Sequence, residues 1–100
     1  MNETFRLFPA IFSIIRKLKA PLRLADDLEL GVGTQVFIYF PGIHKNPEIY
    51  PNPEEFIPER FSPQEIQRRP QYSFLTFSAG PRKCIGFKFA MMQMMCELHF

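Results

Sequence analysis

The sequence of 100 residues has no apolar run long enough to cross a bilayer, no internal repeat and no low-complexity linker. It also has little net charge, because 12 Lys and Arg residues against 10 Asp and Glu residues leave only +2. This balance does not indicate a nucleic-acid partner. A signal peptide is not predicted for the mostly apolar segment 7–15. The basic residues at 16, 17 and 19 follow this segment instead of preceding it, and no small-residue cleavage site follows.

Cysteine is scarce, with only Cys84 and Cys96. The pattern places them near the two ends of one helix, about 18 Å apart, which excludes a disulfide while that helix is intact. Cys96 and His99 have a spacing that could suggest zinc, but two ligands are too few and His44 is distant in the sequence. We therefore expect Cys96 to be a buried core residue.

A self-sufficient core is also not expected. The chain is 46% hydrophobic with 12 Phe, yet its 10 Pro interrupt helices and strands. The helix predicted from about Ile85 onward is apolar nearly all round, and its main face combines Phe87, Ala90, Met91, Met94, Met95 and Leu98. Such helices are normally buried in larger proteins. We expect residues 1–100 to be the C-terminal part of a single larger domain, beginning and ending within helices.

The remaining pattern predicts a few short elements. The first eight residues are predicted to end a helix before Pro9. Strands are predicted at 12–18, 22–30 and 35–40, with the last two paired across Gly31–Thr34 and ended by Pro41 and Gly42; a helical turn is predicted at 46–50 and irregular coil at 51–71. A coil of this length indicates a functional or tightly tethered segment.

The most informative segment is Phe77-Ser-Ala-Gly-Pro-Arg-Lys-Cys-Ile-Gly86, which places Cys84 between a turn and the start of the terminal helix. Gly80 and Gly86 allow close backbone approach to a large flat partner, and the helix dipole favours an anionic sulfur. Arg82 adds a carboxylate-binding charge and Phe77 an aromatic ring. This combination predicts a haem site with a thiolate ligand. The alternative is a buried structural thiol.

This segment resembles the haem-thiolate signature Phe-x-x-Gly-x-Arg-x-Cys-x-Gly of the cytochrome P450 monooxygenases. Residues 3–9 are similar to the family's Glu-x-x-Arg motif, and residues 50–61 to its Pro-x-x-Phe and Pro-Glu-Arg-Phe segments, in the family's order. The runs 44–53 and 77–82 look most like the animal branch containing fatty-acid omega-hydroxylases and insect relatives. The resemblance covers almost the whole chain.

The resemblance implies an α+β, mainly helical fold in the complete protein. This chain would supply the end of one helix, a small β-sheet region, an irregular meander, the cysteine-ligand loop and the start of the proximal helix. The implied cofactor is haem b, iron protoporphyrin IX, with Cys84 as the axial ligand of the iron. The implied cofactor contacts are Arg82, Arg16, Phe77, Gly80 and Gly86, and no catalytic residue of the distal side is expected here.

The resemblance also implies a buried structural triad of Glu3, Arg6 and Arg60. The alternative for Glu3 and Arg6 is an ordinary surface pair three residues apart on a helix. The alternative for Arg16 is a solvated basic strand end. His44 resembles the histidine of a family turn, and we expect a structural hydrogen bond from it.

The implied reaction inserts one oxygen atom from dioxygen into a small apolar substrate of fatty-acid, steroid or xenobiotic type. Electrons would come from an NADPH-dependent reductase flavoprotein, with cytochrome b5 as a further candidate donor. Lys83 and Lys88 would flank the docking side, although solvation explains them equally. The implied location is the cytosolic face of the endoplasmic reticulum membrane, contacted through regions outside this chain. The alternative is a truncated non-catalytic product that at most binds haem.

Overall fold

The structure is a computed structural model that describes residues 1–99. Its α-helices are α1 (Asn2–Leu7), α2 (Phe40–His44), α3 (Pro63–Arg68) and α4 (Phe87–Glu97), and its strands are β1 (Ser13–Lys17), β2 (Leu22–Ala25), β3 (Leu28–Leu30) and β4 (Gln35–Tyr39). Two 3-10 helices cover Pro58–Phe61 and Gly80–Arg82. The predicted helix before Pro9, the strand within 12–18 and the terminal helix are confirmed.

The strands form two antiparallel pairs, and one predicted pairing was wrong. β4 pairs with β1, whereas β2 pairs with β3 in a separate hairpin. The segment 22–30 divides because Asp26 and Asp27 form a turn, for which aspartate is well suited. Residues 31–34 then return the chain to β1, where Leu18 N–H donates to Thr34 O at 2.9 Å.

The β1 and β4 pair has one partly covered face. Side chains alternate across a strand, so Ile14 and Arg16 share a face and both are half-buried. Ile15 and Phe37, which lie opposite each other in the register, remain more than half exposed on the other face. The sheet therefore directs Arg16 towards the interior side of the chain.

Prolines begin helices in the segment where irregular coil was predicted. Pro63 opens α3 directly after Ser62, whose Oγ accepts a hydrogen bond from Glu65 N–H at 3.4 Å. Pro58 likewise opens a 3-10 helix. Pro41 lies in the first turn of α2, which begins directly after β4 ends at Tyr39, so the predicted end of this strand is confirmed. The predicted helical turn at 46–50 is confirmed, because Asn46 O accepts from Tyr50 N–H at 2.8 Å.

The interior is small and partly charged. Leu7, Phe40 and Tyr50 are buried, together with Glu3, Arg6, His44 and Ser73. Large apolar side chains such as Phe89 and Leu98 are about 70% exposed, at 69% and 73%. The radius of gyration is 15.8 Å, against about 13 Å for a compact domain of this length. These residues therefore do not enclose a core of ordinary size.

The inner face of α4 follows the predicted spacing. Phe87, Ala90, Met91 and Met94 are half-buried, whereas Met95 and Leu98 of the same predicted face are exposed. Within residues 1–99, no helix combines the length and apolar character that a membrane span requires.

Candidate functional site

A tight backbone loop presents Cys84 immediately before α4. Cys84 N–H donates to Phe77 O at 2.9 Å, and Lys83 N–H donates to Gly80 O at 3.0 Å. These bonds fold residues 77–84 into a closed loop around the short 3-10 helix. The Cys84 side chain is exposed, so the alternative of a buried structural thiol does not describe it in this chain.

The exposed thiol lies on an open concavity of about 310 Å³. Arg16 and Arg82 line the same concavity, which brings two guanidinium groups and one sulfur around a single space. The rest of the wall is mostly apolar and comes from Phe5, Ala10, Ile11, Ile14, Phe40, Thr76, Phe77 and Ser78. A flat apolar molecule with acidic groups at its edge and a metal at its centre is the kind of ligand that these groups could hold together.

Arg16 is held at this concavity by both strand geometry and a side-chain contact. Its position on β1 puts it on the half-buried face, and Nη2 donates to Ser78 Oγ at 3.4 Å. Nη1 donates to the neighbouring Ile15 O at 3.0 Å. Arg16 is therefore not a solvated strand end here, since it contacts the cysteine loop across 62 residues of sequence.

Phe77 fixes the start of the loop by aromatic packing. Its ring makes edge-to-face contacts with Phe5 of α1, at 5.6 Å between centroids, and with Phe87 of α4, at 5.0 Å. Edge-to-face pairs at such distances are favourable beyond their buried area. The loop is thereby attached to the two helices on either side of it.

The two glycines of the motif differ in what the backbone requires. Gly80 has φ of +72°, a conformation that side chains rarely adopt, while the space around its missing Cβ is open. Gly86 has φ of −83°, and a Cβ there would lie 3.9 Å from Cys84 Sγ, an ordinary contact. Conformation therefore requires glycine at position 80, whereas the chain alone does not require it at position 86.

The structure brings Glu3, Arg6 and Arg60 together. Arg6 Nε and Nη2 donate to Glu3 Oε2 and Oε1, both at 2.8 Å, and the two side chains are 0% and 1% exposed. This is a buried pair with two parallel hydrogen bonds, not a surface pair. Arg60 Nε lies 3.4 Å from Glu3 Oε1 without hydrogen-bond geometry, and Arg60 Nη2 instead donates to Pro51 O and Asn52 O.

The Glu3 carboxylate is stabilised in its charged form. Burial on its own raises the pKa of this carboxyl group. Hydrogen bonds from Arg6 and from Ile57 N–H, together with the charges of Arg6 and Arg60, outweigh burial, so the pKa of Glu3 lies below its usual 4.5. Glu3 thus joins α1 to the residue that precedes the 3-10 helix at Pro58–Phe61.

Arg6 also binds backbone carbonyl groups that the sequence did not predict. Beyond Glu3, Arg6 donates to the carbonyls of His44, Pro53 and Glu55, at 3.0, 2.7 and 3.0 Å. The Tyr50 ring lies 5.2 Å from its guanidinium carbon. No sequence signal could have identified these acceptors, because every residue carries a carbonyl.

Cys96 and two lysines lie outside the residues that line the concavity. Cys96 is exposed on α4 among residues 1–99, and its predicted burial in the core of the larger domain stays a prediction. Within residues 1–99, no group of three His, Cys, Asp or Glu could hold a metal ion. Lys83 Nζ lies 4.4 Å from the centre of the Phe87 ring, and Lys88 is exposed.

Known proteins resemble this chain over nearly all of its residues. The family model described as Cytochrome P450 matches residues 1–99. The chain is 45% identical to Cytochrome P450 4p1 of Drosophila melanogaster over 94% of this chain and 18% of that protein. It is 39% identical to Cytochrome P450 4B1 of Rattus norvegicus over 100% of this chain and 20% of that protein. The chain thus spans about a fifth of the length of these relatives.

The fold agrees with that of a solved structure described as retinoic acid bound cyanobacterial CYP120A1. The TM-score is 0.84 and the identity 31%, over 93% of this chain and 22% of that chain. The predicted fold class and the predicted similarity to animal and insect P450 proteins are therefore confirmed. On the family match and this shared architecture, the chain belongs to the cytochrome P450 family.

Proposed function

We propose that this chain forms the cysteine-ligand side of a haem-thiolate monooxygenase, in which the Cys84 sulfur would bind the haem iron. The observation that carries the proposal is that Cys84, Arg16 and Arg82 line one apolar concavity although β1 and the loop are far apart in the sequence. Family membership supports the same reading. The relatives are about five times as long, which supports one larger domain of which residues 1–100 are a part.

The donor set fits haem b. A cysteine sulfur is a soft ligand suited to iron, and the two guanidinium groups match two propionate carboxylates. The apolar wall with Phe5, Ile14 and Phe77 suits the porphyrin. Attachment through thioethers would need a Cys-x-x-Cys-His sequence, whereas Cys84 is followed by Ile-Gly-Phe-Lys. Cys84 is therefore not in a sequence suited to thioether attachment of haem.

Each residue of the concavity would have a separate role. Cys84 would donate electron density to the iron through its sulfur and would act as a ligand, not as a nucleophile. Arg16 and Arg82 would orient the cofactor by its carboxylates, and Phe77 with its aromatic neighbours would exclude water from the sulfur side. Haem bound there would supply the activation of dioxygen that places one oxygen atom in an apolar substrate.

The substrate class, the redox partners and the location extend this proposal. A small apolar substrate of fatty-acid, steroid or xenobiotic type would bind near the haem, in parts of the protein outside residues 1–100. Lys83 and Lys88 beside the loop would offer positive charge to an acidic NADPH-dependent reductase, and to cytochrome b5. A location at the cytosolic face of the endoplasmic reticulum membrane, which the family resemblance implies, belongs to the same proposal.

Haem retention tests the shared role of the two arginines. In the full-length protein, Arg16→Gln and Arg82→Gln should each weaken haem retention against apomyoglobin as acceptor, and the double variant should weaken it most. Arg68→Gln is the matched control, because Arg68 is 75% exposed on α3 and contacts Glu65. If all four proteins lost haem at one rate, the concavity would not be the cofactor site. A transcript that encodes no further part of the domain would favour the truncated, non-catalytic alternative.

A further inference from the structure

His44 is a fully buried histidine that the proposed function does not use. It ends α2, is 0% exposed, and has its ring between Phe40 and Phe74, with centroid distances of 6.0 and 5.1 Å. A buried imidazole must be neutral or paired, because charging it there is costly. Burial lowers the pKa of His44 from 6.5 to about 4, against a smaller opposing effect of the hydrogen bond with Arg6.

The imidazole makes one directed hydrogen bond. Its Nε2 accepts from Leu75 N–H at 3.0 Å, across 31 residues of sequence. Because Nε2 is the acceptor, the ring hydrogen lies on Nδ1, which has no hydrogen-bond partner among residues 1–99. The ring is therefore oriented by a single backbone amide and by aromatic packing.

Leu75 is the first residue of a series of backbone contacts that ends at Cys84. Leu75 O accepts from Ser78 N–H at 2.8 Å, and Phe77 O accepts from Cys84 N–H at 2.9 Å. Ser78 has φ of +60°, a conformation that a serine keeps only when its surroundings impose it. The same Ser78 contacts Arg16 through its Oγ. Fixing Leu75 therefore fixes the turn that orients both Cys84 and Arg16.

The other side of His44 reaches the buried ion pair. Its carbonyl accepts from Arg6 Nη1 at 3.0 Å, and Arg6 is bound to Glu3. One residue thus contacts the charged interior through its backbone and the cysteine loop through its ring. Such an arrangement can transmit position from a rigid element to a ligand loop.

We propose that His44 is a positioning residue, which sets the backbone of the Cys84 loop through the Nε2 acceptor. The expected effect on iron binding rests on the proposed function, whereas the expected effect on the backbone of the loop does not. The loop effect has a readout that needs no cofactor: hydrogen exchange of the amides in residues 74–84.

A pair of amide substitutions isolates the acceptor. In the full-length protein, His44→Gln places an amide oxygen near the position of Nε2, whereas His44→Asn is one methylene shorter and does not reach Leu75. Both variants remove the ring and bury one amide. We expect His44→Asn to speed exchange in residues 74–84 about tenfold or more, as the loss of one buried hydrogen bond implies, and His44→Gln to stay close to the parent.

Two further variants separate a change in the position of the loop from a general loss of protein stability. His44→Phe keeps an aromatic ring but has no acceptor, so it should behave like His44→Asn in the loop. Leu7→Ala removes buried apolar atoms from α1 and leaves both partners of this hydrogen bond in place, and it should destabilise the protein without selective exchange in residues 74–84. If the Gln and Asn variants exchanged alike, or if Leu7→Ala gave the same selective change, the positioning role would be wrong.

The spectrum of the loaded protein gives the second readout. With carbon monoxide on reduced iron, His44→Asn should lose part of the thiolate-type Soret band that His44→Gln and Leu7→Ala retain. If the parent protein shows no thiolate-type band while the exchange contrast persists, the proposed function fails and the positioning of the loop stands. If the band is present and neither readout separates Gln from Asn, the positioning role fails and the proposed function stands.

Discussion

Arg6 and Glu3 form a buried ion pair with two parallel hydrogen bonds, each 2.8 Å long. The same Arg6 donates to three backbone carbonyls from two distant segments. This side chain therefore joins α1 to α2 and to the residues before the first 3-10 helix. Because a buried charge is costly once its partner is removed, the pair fixes the relative positions of these segments.

Replacing Arg6 with Ala should lower the free energy of unfolding by on the order of 3–5 kcal/mol, because the Glu3 charge would stay buried without its main partner. Arg60→Ala should cost less, on the order of 1–3 kcal/mol, because Arg60 donates mainly to backbone carbonyls. Arg68→Ala, at an exposed pair, should cost about 0–1 kcal/mol. Urea denaturation of the full-length variants measures this order. Equal costs for Arg6 and Arg68 would contradict the importance of the buried pair.

Stability should decrease as the pH falls from about 6.5 to 4, through His44. The unfolded chain binds a proton near 6.5 and the folded chain near 4, so the folded state holds fewer protons over this interval. The difference of 2.5 units corresponds to a loss on the order of 3 kcal/mol when the pH reaches the folded pKa. Glu3, with its lowered pKa, adds a loss only below about 4.5.

Thermal melting of the parent and of His44→Gln at a series of pH values tests this assignment. The parent should lose stability from about pH 6.5 downward, while the variant should lack this part of the decrease. Parallel pH curves for the two proteins would assign the effect to other groups.

The two glycines of the cysteine loop should respond differently to alanine. Gly80→Ala should lower the free energy of unfolding by about 1–2 kcal/mol, because φ is +72° at this position. Gly86→Ala has an ordinary backbone conformation, so its unfolding free energy should change by less than about 0.5 kcal/mol. Its haem retention should nevertheless decrease, because the added Cβ lies beside the sulfur. Normal haem retention in Gly86→Ala would contradict a close approach of haem to the backbone at this position.

Residues 1–100 expressed alone should not show a cooperative melt. The exposed Phe89 and Leu98, the half-covered inner face of α4 and the radius of gyration of 15.8 Å leave too little buried apolar surface. Circular dichroism during heating should therefore change gradually. A sharp two-state transition in a monomer would show that these residues form a stable core.

Local patterns in the sequence predicted the parts of the fold that depend on neighbouring residues. Pro9 marked the end of α1, and the apolar spacing after Cys84 identified α4. The pairing of β4 with β1 was missed because it joins residues as far apart in the sequence as Ser13 and Tyr39, which no local turn signal reveals. The sequence did not predict α3 because proline interrupts most helices, although it is favoured at the first helical position, where Pro63 lies.

The candidate site was predictable to a similar extent. Cys84, Arg82 and Arg16 could be proposed from motif residues, and they line one concavity. A structural hydrogen bond of His44 was expected, but its partner could not be predicted, because that partner is the backbone amide of Leu75. The burial of Cys96 in the larger domain stays a prediction, because residues 1–99 leave this side of α4 exposed.

The central claim is that the Cys84 sulfur binds iron, and the two cysteines of this chain provide a matched test. Cys84→Ser and Cys96→Ser should be prepared in the full-length protein, and the Soret band of the reduced protein with carbon monoxide should be recorded. Cys84→Ser should lose the thiolate-type band, because oxygen donates far less electron density than sulfur. Cys96→Ser should keep that band unchanged. Survival of the band in Cys84→Ser, or its loss in Cys96→Ser alone, would contradict the assignment.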